Sequence, residues 1–140
     1  MLKKLRQKGM IAGFKRTPQR LSILEHLDGN TSHPSADDIY RVVAKKNPSM
    51  SFATVYNTLN TLVQTGAVRE LTIDPERKRY DPDTSAHHHL ICLDCKKVAD
   101  IPGDIPLEIP PGVAKDFSIL GSHIEFYGLC VTCKKLKRKK

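Results

Sequence analysis

At 140 residues the chain has room for one ordinary domain, or for two small ones that lean on metal or on a partner. Its net charge of +8 is uneven: residues 1–83 carry 14 Lys and Arg against 9 Asp and Glu, residues 84–133 carry 3 against 6, and residues 134–140 add six positives. No apolar run approaches membrane-spanning length, and only the first half is basic enough to face a polyanion. Residues 1–8 lack the apolar core and cleavage site of a signal peptide, so a cytoplasmic protein with no membrane partner is expected.

Thr17-Pro18 is a helix start, a hydroxyl cap followed by proline at the first helical position. Leu21, Ile23, Leu24 and Leu27 give that helix an apolar face, which ends near Asp28-Gly29-Asn30. Ser35 opens a second helix with Asp37 and Asp38 set against its dipole; Ile39, Val42 and Val43 point to the core, and it stops before Pro48. Ser51 caps a third, from Phe52 to about Thr65, with Val55, Leu59 and Leu62 at helical spacing and Gly66 as its stop. Two alternating runs follow, Ala67 to Ile73 and Lys78 to Asp81, joined by a turn at Asp74-Pro75-Glu76-Arg77. Three short helices and a two-stranded wing predict a winged helix-turn-helix, whose third helix enters the DNA major groove. Thr54, Tyr56, Asn57 and Asn60 are the polar groups on that helix suited to bases or phosphates, and Lys15, Arg16 and Arg20 supply a basic approach.

All four cysteines fall into two Cys-x-x-Cys pairs, Cys92 with Cys95 and Cys130 with Cys133. Two pairs complete a tetrahedral four-sulfur site, the arrangement zinc takes when its role is structural. Disulfides would need an oxidising compartment, and a redox pair would need a thioredoxin-like context; neither is indicated. The 34 residues between Cys95 and Cys130 exceed a simple zinc-ribbon spacer, so a small structural unit must fold between the two knuckles. The run His87-His88-His89 lies just ahead of the first pair and is spare to a filled four-sulfur site, which points to a second metal site. On a strand His87 and His89 share a face, and His88 points to the other. Asp81 precedes them and Asp100 follows on an apparent strand from Lys97. Nitrogen and carboxylate donors without thiolate suit iron(II) or manganese(II). His26 reads as an ordinary residue on the outer side of its helix, while His123 stays open between ligand and bystander. The tail 134–140 reads as a frayed, solvated end.

These residues resemble the ferric uptake regulator family of metal-dependent bacterial transcription factors. The likeness runs through Thr17-Pro18-Gln19-Arg20, His33-Pro34-Ser35-Ala36-Asp37-Asp38-Ile39-Tyr40, Ala53-Thr54-Val55-Tyr56-Asn57, the histidine run and both cysteine pairs. It implies an α+β chain: a winged-helix DNA-binding domain over 1–82, then a small α/β dimerisation domain over 83–140 with the four-cysteine zinc site and the basic tail. It also implies homodimers on inverted-repeat double-stranded operators, with Lys15, Tyr56 and Asn57 where family members contact DNA. The details are most similar to the peroxide-responsive branch, whose regulatory site of three histidines and two aspartates falls on His33, Asp81, His87, His89 and Asp100. Iron-sensing relatives more often carry glutamate where Asp81 and Asp100 stand. Pro106, Pro110 and Pro111 interrupt a stretch where relatives carry a clear helix, so a differently built dimer interface is expected. Ala86 and Ser122 replace histidines often used in a third metal site, which is therefore expected to be absent or altered.

The resemblance implies a switch: the regulatory ion draws the two winged helices of a dimer to the spacing of successive major grooves, roughly 34 Å. With iron(II), peroxide chemistry at the ion oxidises His33 or His87 and releases DNA. The alternative within the family is a reversible sensor of iron or manganese concentration. A zinc deaminase would need a His-x-Glu arrangement, and none follows His87. An RNA-binding zinc ribbon would need a platform of stacking aromatics that the basic half lacks.

Overall fold

The computed structural model describes residues 14–74 and 76–139, and in it the first helix begins where Thr17 and Pro18 direct it. Helix α1 (Pro18–Leu27) is capped by the Thr17 hydroxyl, which accepts from the Arg20 N–H at 3.2 Å. Helix α2 (Ala36–Lys46) carries a full capping box: Ser35 Oγ accepts from Asp38 N–H, and the Asp38 carboxylate accepts from Ser35 N–H. Helix α3 (Phe52–Gln64) starts on Ser51, whose hydroxyl accepts from Thr54 N–H, and stops at Gly66, whose φ of 73° lies in the region open to glycine. The wing is an antiparallel pair, β1 (Arg69–Asp74) and β2 (Arg77–Asp81), with Arg69 opposite Asp81.

The chain divides between Thr84 and Ser85 into two units. In the first, Ile23, Leu27, Ile39, Val55 and Leu59 are completely buried, with Leu24, Val43, Leu62 and Tyr80 beside them. Each fully buried aliphatic contributes about 1.5–3 kcal/mol, so this core holds the three helices against the wing. Val42, expected inside, is 39% exposed: it sits one position off the stripe that buries Ile39 and Val43. The wing is also stitched to the α1–α2 loop. Tyr80 N–H donates to the Pro34 carbonyl at 2.9 Å, and Ser35 bridges to Arg79.

The second unit is a three-stranded sheet with β3 (His87–Cys92) in the middle, antiparallel to β4 (Val98–Pro102) and parallel to β5 (Glu125–Gly128). Strands β4 and β5 both lie between the two cysteine pairs in sequence, so they are the unit that the long spacer required. Between them residues 103–124 form no regular helix or strand, in keeping with Pro106, Pro110 and Pro111. Helix α4 (Val131–Arg138) closes the chain. It corrects the expectation of a frayed tail: from Lys134 to Arg138 the residues are helical, because Cys130 fixes the first turn and Lys134 N–H donates back to the Cys130 carbonyl. Residues 1–8, Pro75 of the predicted turn and Lys140 lie outside the described residues.

Candidate metal centres

The four cysteines converge. Cys92 ends β3, Cys95 lies in the turn after it, Cys130 is the N-cap of α4 and Cys133 sits in its first turn. Their sulfurs lie within 4.8 Å of one another, and Cys95 Sγ is 3.7 Å from Cys130 Sγ. That is far beyond a disulfide bond. It matches the edge of about 3.8 Å between sulfurs held tetrahedrally ~2.3 Å from zinc. Cys130 N–H donates to Cys92 Sγ at 3.3 Å, and this bond leads the N–H donors that lower the Cys92 thiol to a pKa of about 6. Cys133 moves the other way, pushed up first by its hydrogen bond with Cys130. Four bare thiolates cannot share so small a space; a divalent cation lets all four ionise. The group therefore suits a structural zinc.

Each unit also holds part of the histidine–aspartate set. In the first, His33 Nε2 and Asp81 Oδ2 are 3.4 Å apart, with both side chains almost completely buried. Asp81 ends the wing, and His33 lies in the α1–α2 loop with φ of 52°. A left-handed histidine directly before proline costs of order 1–3 kcal/mol, and such strain gathers at functional positions. Arg79, which the sequence reading did not single out, donates from Nη1 to the His33 carbonyl at 3.2 Å and helps to hold that backbone.

In the second unit, His87 and His89 share a face of β3 as the alternation requires, and Asp100 lies directly opposite His89 on β4. Their donor atoms meet: His87 Nε2 to His89 Nε2 at 3.0 Å, and Asp100 Oδ1 to each at 3.4 and 3.3 Å. His87 Nδ1 lies 2.9 Å from the Ser85 carbonyl, which can only accept, so the ring proton belongs on Nδ1 and Nε2 is left bare. An ion about 2.1 Å from two nitrogens at right angles would separate them by about 3.0 Å, so the observed spacing fits a shared cation. Donors of this kind suit iron(II) or manganese(II). His88 is turned away and buried; its Nδ1 accepts from Ile124 N–H at 2.9 Å.

Of the predicted DNA-facing residues, Lys15, Tyr56 and Asn57 are exposed. Thr54 and Asn60 are only half-exposed, Thr54 being engaged with Ser51 at the helix cap. The Tyr56 ring stacks on Phe52 with 6.3 Å between centroids.

A winged helix joined to a sheet unit that carries a cysteine zinc site and a histidine–aspartate donor set defines a metalloregulator. The family model for the ferric uptake regulator family matches residues 11–127. The peroxide operon regulator of Bacillus subtilis is 42% identical over 125 residues, covering 88% of this chain and 86% of that protein. Among solved structures, the ferric uptake regulator of Francisella tularensis with iron superposes with a TM-score of 0.72 at 25% identity, covering 88% of this chain and 96% of that one. A peroxide-sensing PerR from Streptococcus pyogenes gives 0.54 at 29% identity, covering 94% and 92%. The chain belongs to the ferric uptake regulator family. Members of that family are transcriptional regulators rather than enzymes, and no helix among the described residues is long and apolar enough to cross a membrane.

Proposed function

We propose that this chain is a cytoplasmic, homodimeric, metal-dependent repressor that senses hydrogen peroxide. His33 and Asp81 of the first unit and His87, His89 and Asp100 of the second hold one regulatory ion, iron(II) or manganese(II). The observation that carries the reading is the donor set itself. In the second unit the imidazole nitrogens of His87 and His89 and the carboxylate of Asp100 come together without a thiolate, apart from a cysteine site suited to zinc. Aspartate at both carboxylate positions and the 42% identity to a peroxide operon regulator favour peroxide sensing.

Binding one ion with ligands from both units costs the chain its freedom to hold them apart, so metal stabilises the arrangement in which both DNA-binding units of a dimer reach successive major grooves. Tyr56 and Asn57 on the exposed side of α3, with Lys15 ahead of α1, contact an inverted-repeat duplex. Iron(II), when bound by these residues, would activate hydrogen peroxide, and the two electrons that reduce the peroxide would come from a ligating imidazole. His33 or His87 then gains one oxygen as one peroxide is consumed and one water released, and the donor set loses a nitrogen. Manganese(II) supports DNA binding without that oxidation. The cysteines, fully engaged by zinc, stay out of the response.

The stronger superposition on an iron-bound ferric uptake regulator favours a second reading, reversible sensing of metal concentration. Selection from a random duplex pool with zinc-filled protein plus manganese(II), followed by affinity measurements with and without the ion, tests what the two readings share. Tight sequence-specific binding that needs the ion, and that Asp100→Ala loses, is the expected result. Binding indifferent to the ion would refute both.

A further inference from the structure

Two histidines near the regulatory donors lie outside the ligand set: His88, which accepts from Ile124 N–H, and His123, whose ring meets a ligand directly. His123 Nε2 lies 2.9 Å from His89 Nδ1, on the side of the His89 ring away from His87 and Asp100. The two rings are 5.1 Å apart at 58°, inclined rather than stacked. Beyond it, Glu125 Oε1 is 3.8 Å from His123 Nδ1, and Glu125 pairs directly with His89 in the parallel β3–β5 register. Glu125 is itself held by the Tyr127 hydroxyl, which donates to its Oε2.

We propose that His123 is a positioning residue for the regulatory metal site: it accepts the Nδ1–H of His89 and so leaves His89 Nε2 bare to face the ion. The proposal rests on the reading of His89 as a metal ligand. His89 must keep its ring proton on the nitrogen that does not bind metal, and a buried N–H needs an acceptor. For His87 the Ser85 carbonyl fills that role. For His89, in mid-strand, the Ile124 carbonyl already accepts its backbone N–H, and a side chain from the segment entering β5 takes the ring proton instead. His123 Nε2 is consequently turned to His89 rather than offered as a further ligand, and its own proton falls on Nδ1, toward the Glu125 carboxylate. The regulatory site of this chain thus depends on the loop before β5 as well as on its ligands.

The test uses full-length, zinc-filled protein as wild type, His123→Leu and His123→Gln. Leucine cannot accept the proton, whereas the glutamine carbonyl oxygen can. Manganese(II) affinity is measured by competition with a chelating dye, and cobalt(II) placed in the regulatory site reports ligand geometry through its visible spectrum. Zinc content and melting temperature report the fold. His123→Leu should weaken manganese binding about 10–100-fold and change the cobalt spectrum, with zinc content and melting temperature retained. His123→Gln should restore most of both. A leucine variant that binds manganese as wild type does, or a glutamine variant as weak as leucine, would overturn the proposal. A wild-type chain that takes up no second ion would overturn the regulatory-site reading first, and this one with it.

Discussion

Removing the zinc should unfold the second unit while the first remains folded. Among the described residues the second unit buries only two aliphatic side chains, Ile91 and Val98, worth about 3–6 kcal/mol together. Leu90, Phe126 and Leu136 on its elements, and Leu93 and Leu129 just beyond them, are 40% exposed or more, so they add little within one chain. A structural zinc supplies about 10–16 kcal/mol of apparent binding free energy, more than that apolar contribution. It also ties the end of β3 to the start of α4 through Cys92, Cys95, Cys130 and Cys133. The first unit has its own core of buried aliphatics on three helices and needs no such tie. Cys133→Ser, or exhaustive chelation, should therefore abolish hydrogen-exchange protection of the amides in β3, β4 and β5. Amides of α1, α2 and α3 should keep theirs. Protected β3 amides in protein shown by metal analysis to be zinc-free would refute the assignment of stability to the metal.

Ser35→Ala removes the α2 cap and an acceptor of the Arg77 guanidinium, and should cost about 1 kcal/mol, read as a lowered denaturation midpoint of the first unit. Burial pushes the Asp38 carboxyl up, but hydrogen bonds from Ser35 and the charge of Arg77 outweigh it and hold the group below its ordinary value. The stability this lends is present above the unfolded carboxylate pKa and is lost as pH falls through the lower folded one. Acid melts of Asp38→Asn should accordingly lack that part of the pH dependence. Leu59→Ala, at a fully buried α3 position, should cost about 2–5 kcal/mol in denaturant unfolding. Asn57→Ala should lose about 1–3 kcal/mol of discrimination on the selected duplex, whereas Lys15→Ala should weaken all duplexes alike and reduce the salt slope by about 1. Equal effects of these two changes on every sequence would contradict base contact by α3.

The helices were legible because their punctuation is local: Thr17-Pro18, Ser35 with Asp38, and Ser51 act within one turn, and each caps the helix it predicted. The zinc site was legible for a similar reason, since paired cysteines with no other chemistry constrain one another. Val42 was misplaced because Ile39, Val42 and Val43 all fit a helical stripe, and only packing against α1 and α3 decides its edge. The tail was read by its charge, which favours solvation; a cysteine anchor that starts a helix outweighs that over residues 131–138. Arg79 was out of reach in a different sense, and the sequence left the role of His123 open. Each meets a histidine far along the chain, His123 one 34 residues away and Arg79 one 46 residues away, and only the fold brings them together.

The most direct test of peroxide sensing exposes zinc-filled protein, loaded with iron(II) or manganese(II) and bound to its selected duplex, to dilute peroxide. DNA binding and peptide masses are followed together. The account predicts loss of DNA binding with iron alone, accompanied by one added oxygen on a peptide containing His33 or His87. Iron-loaded protein that keeps its DNA and its unmodified histidines would contradict it and leave a reversible metal sensor.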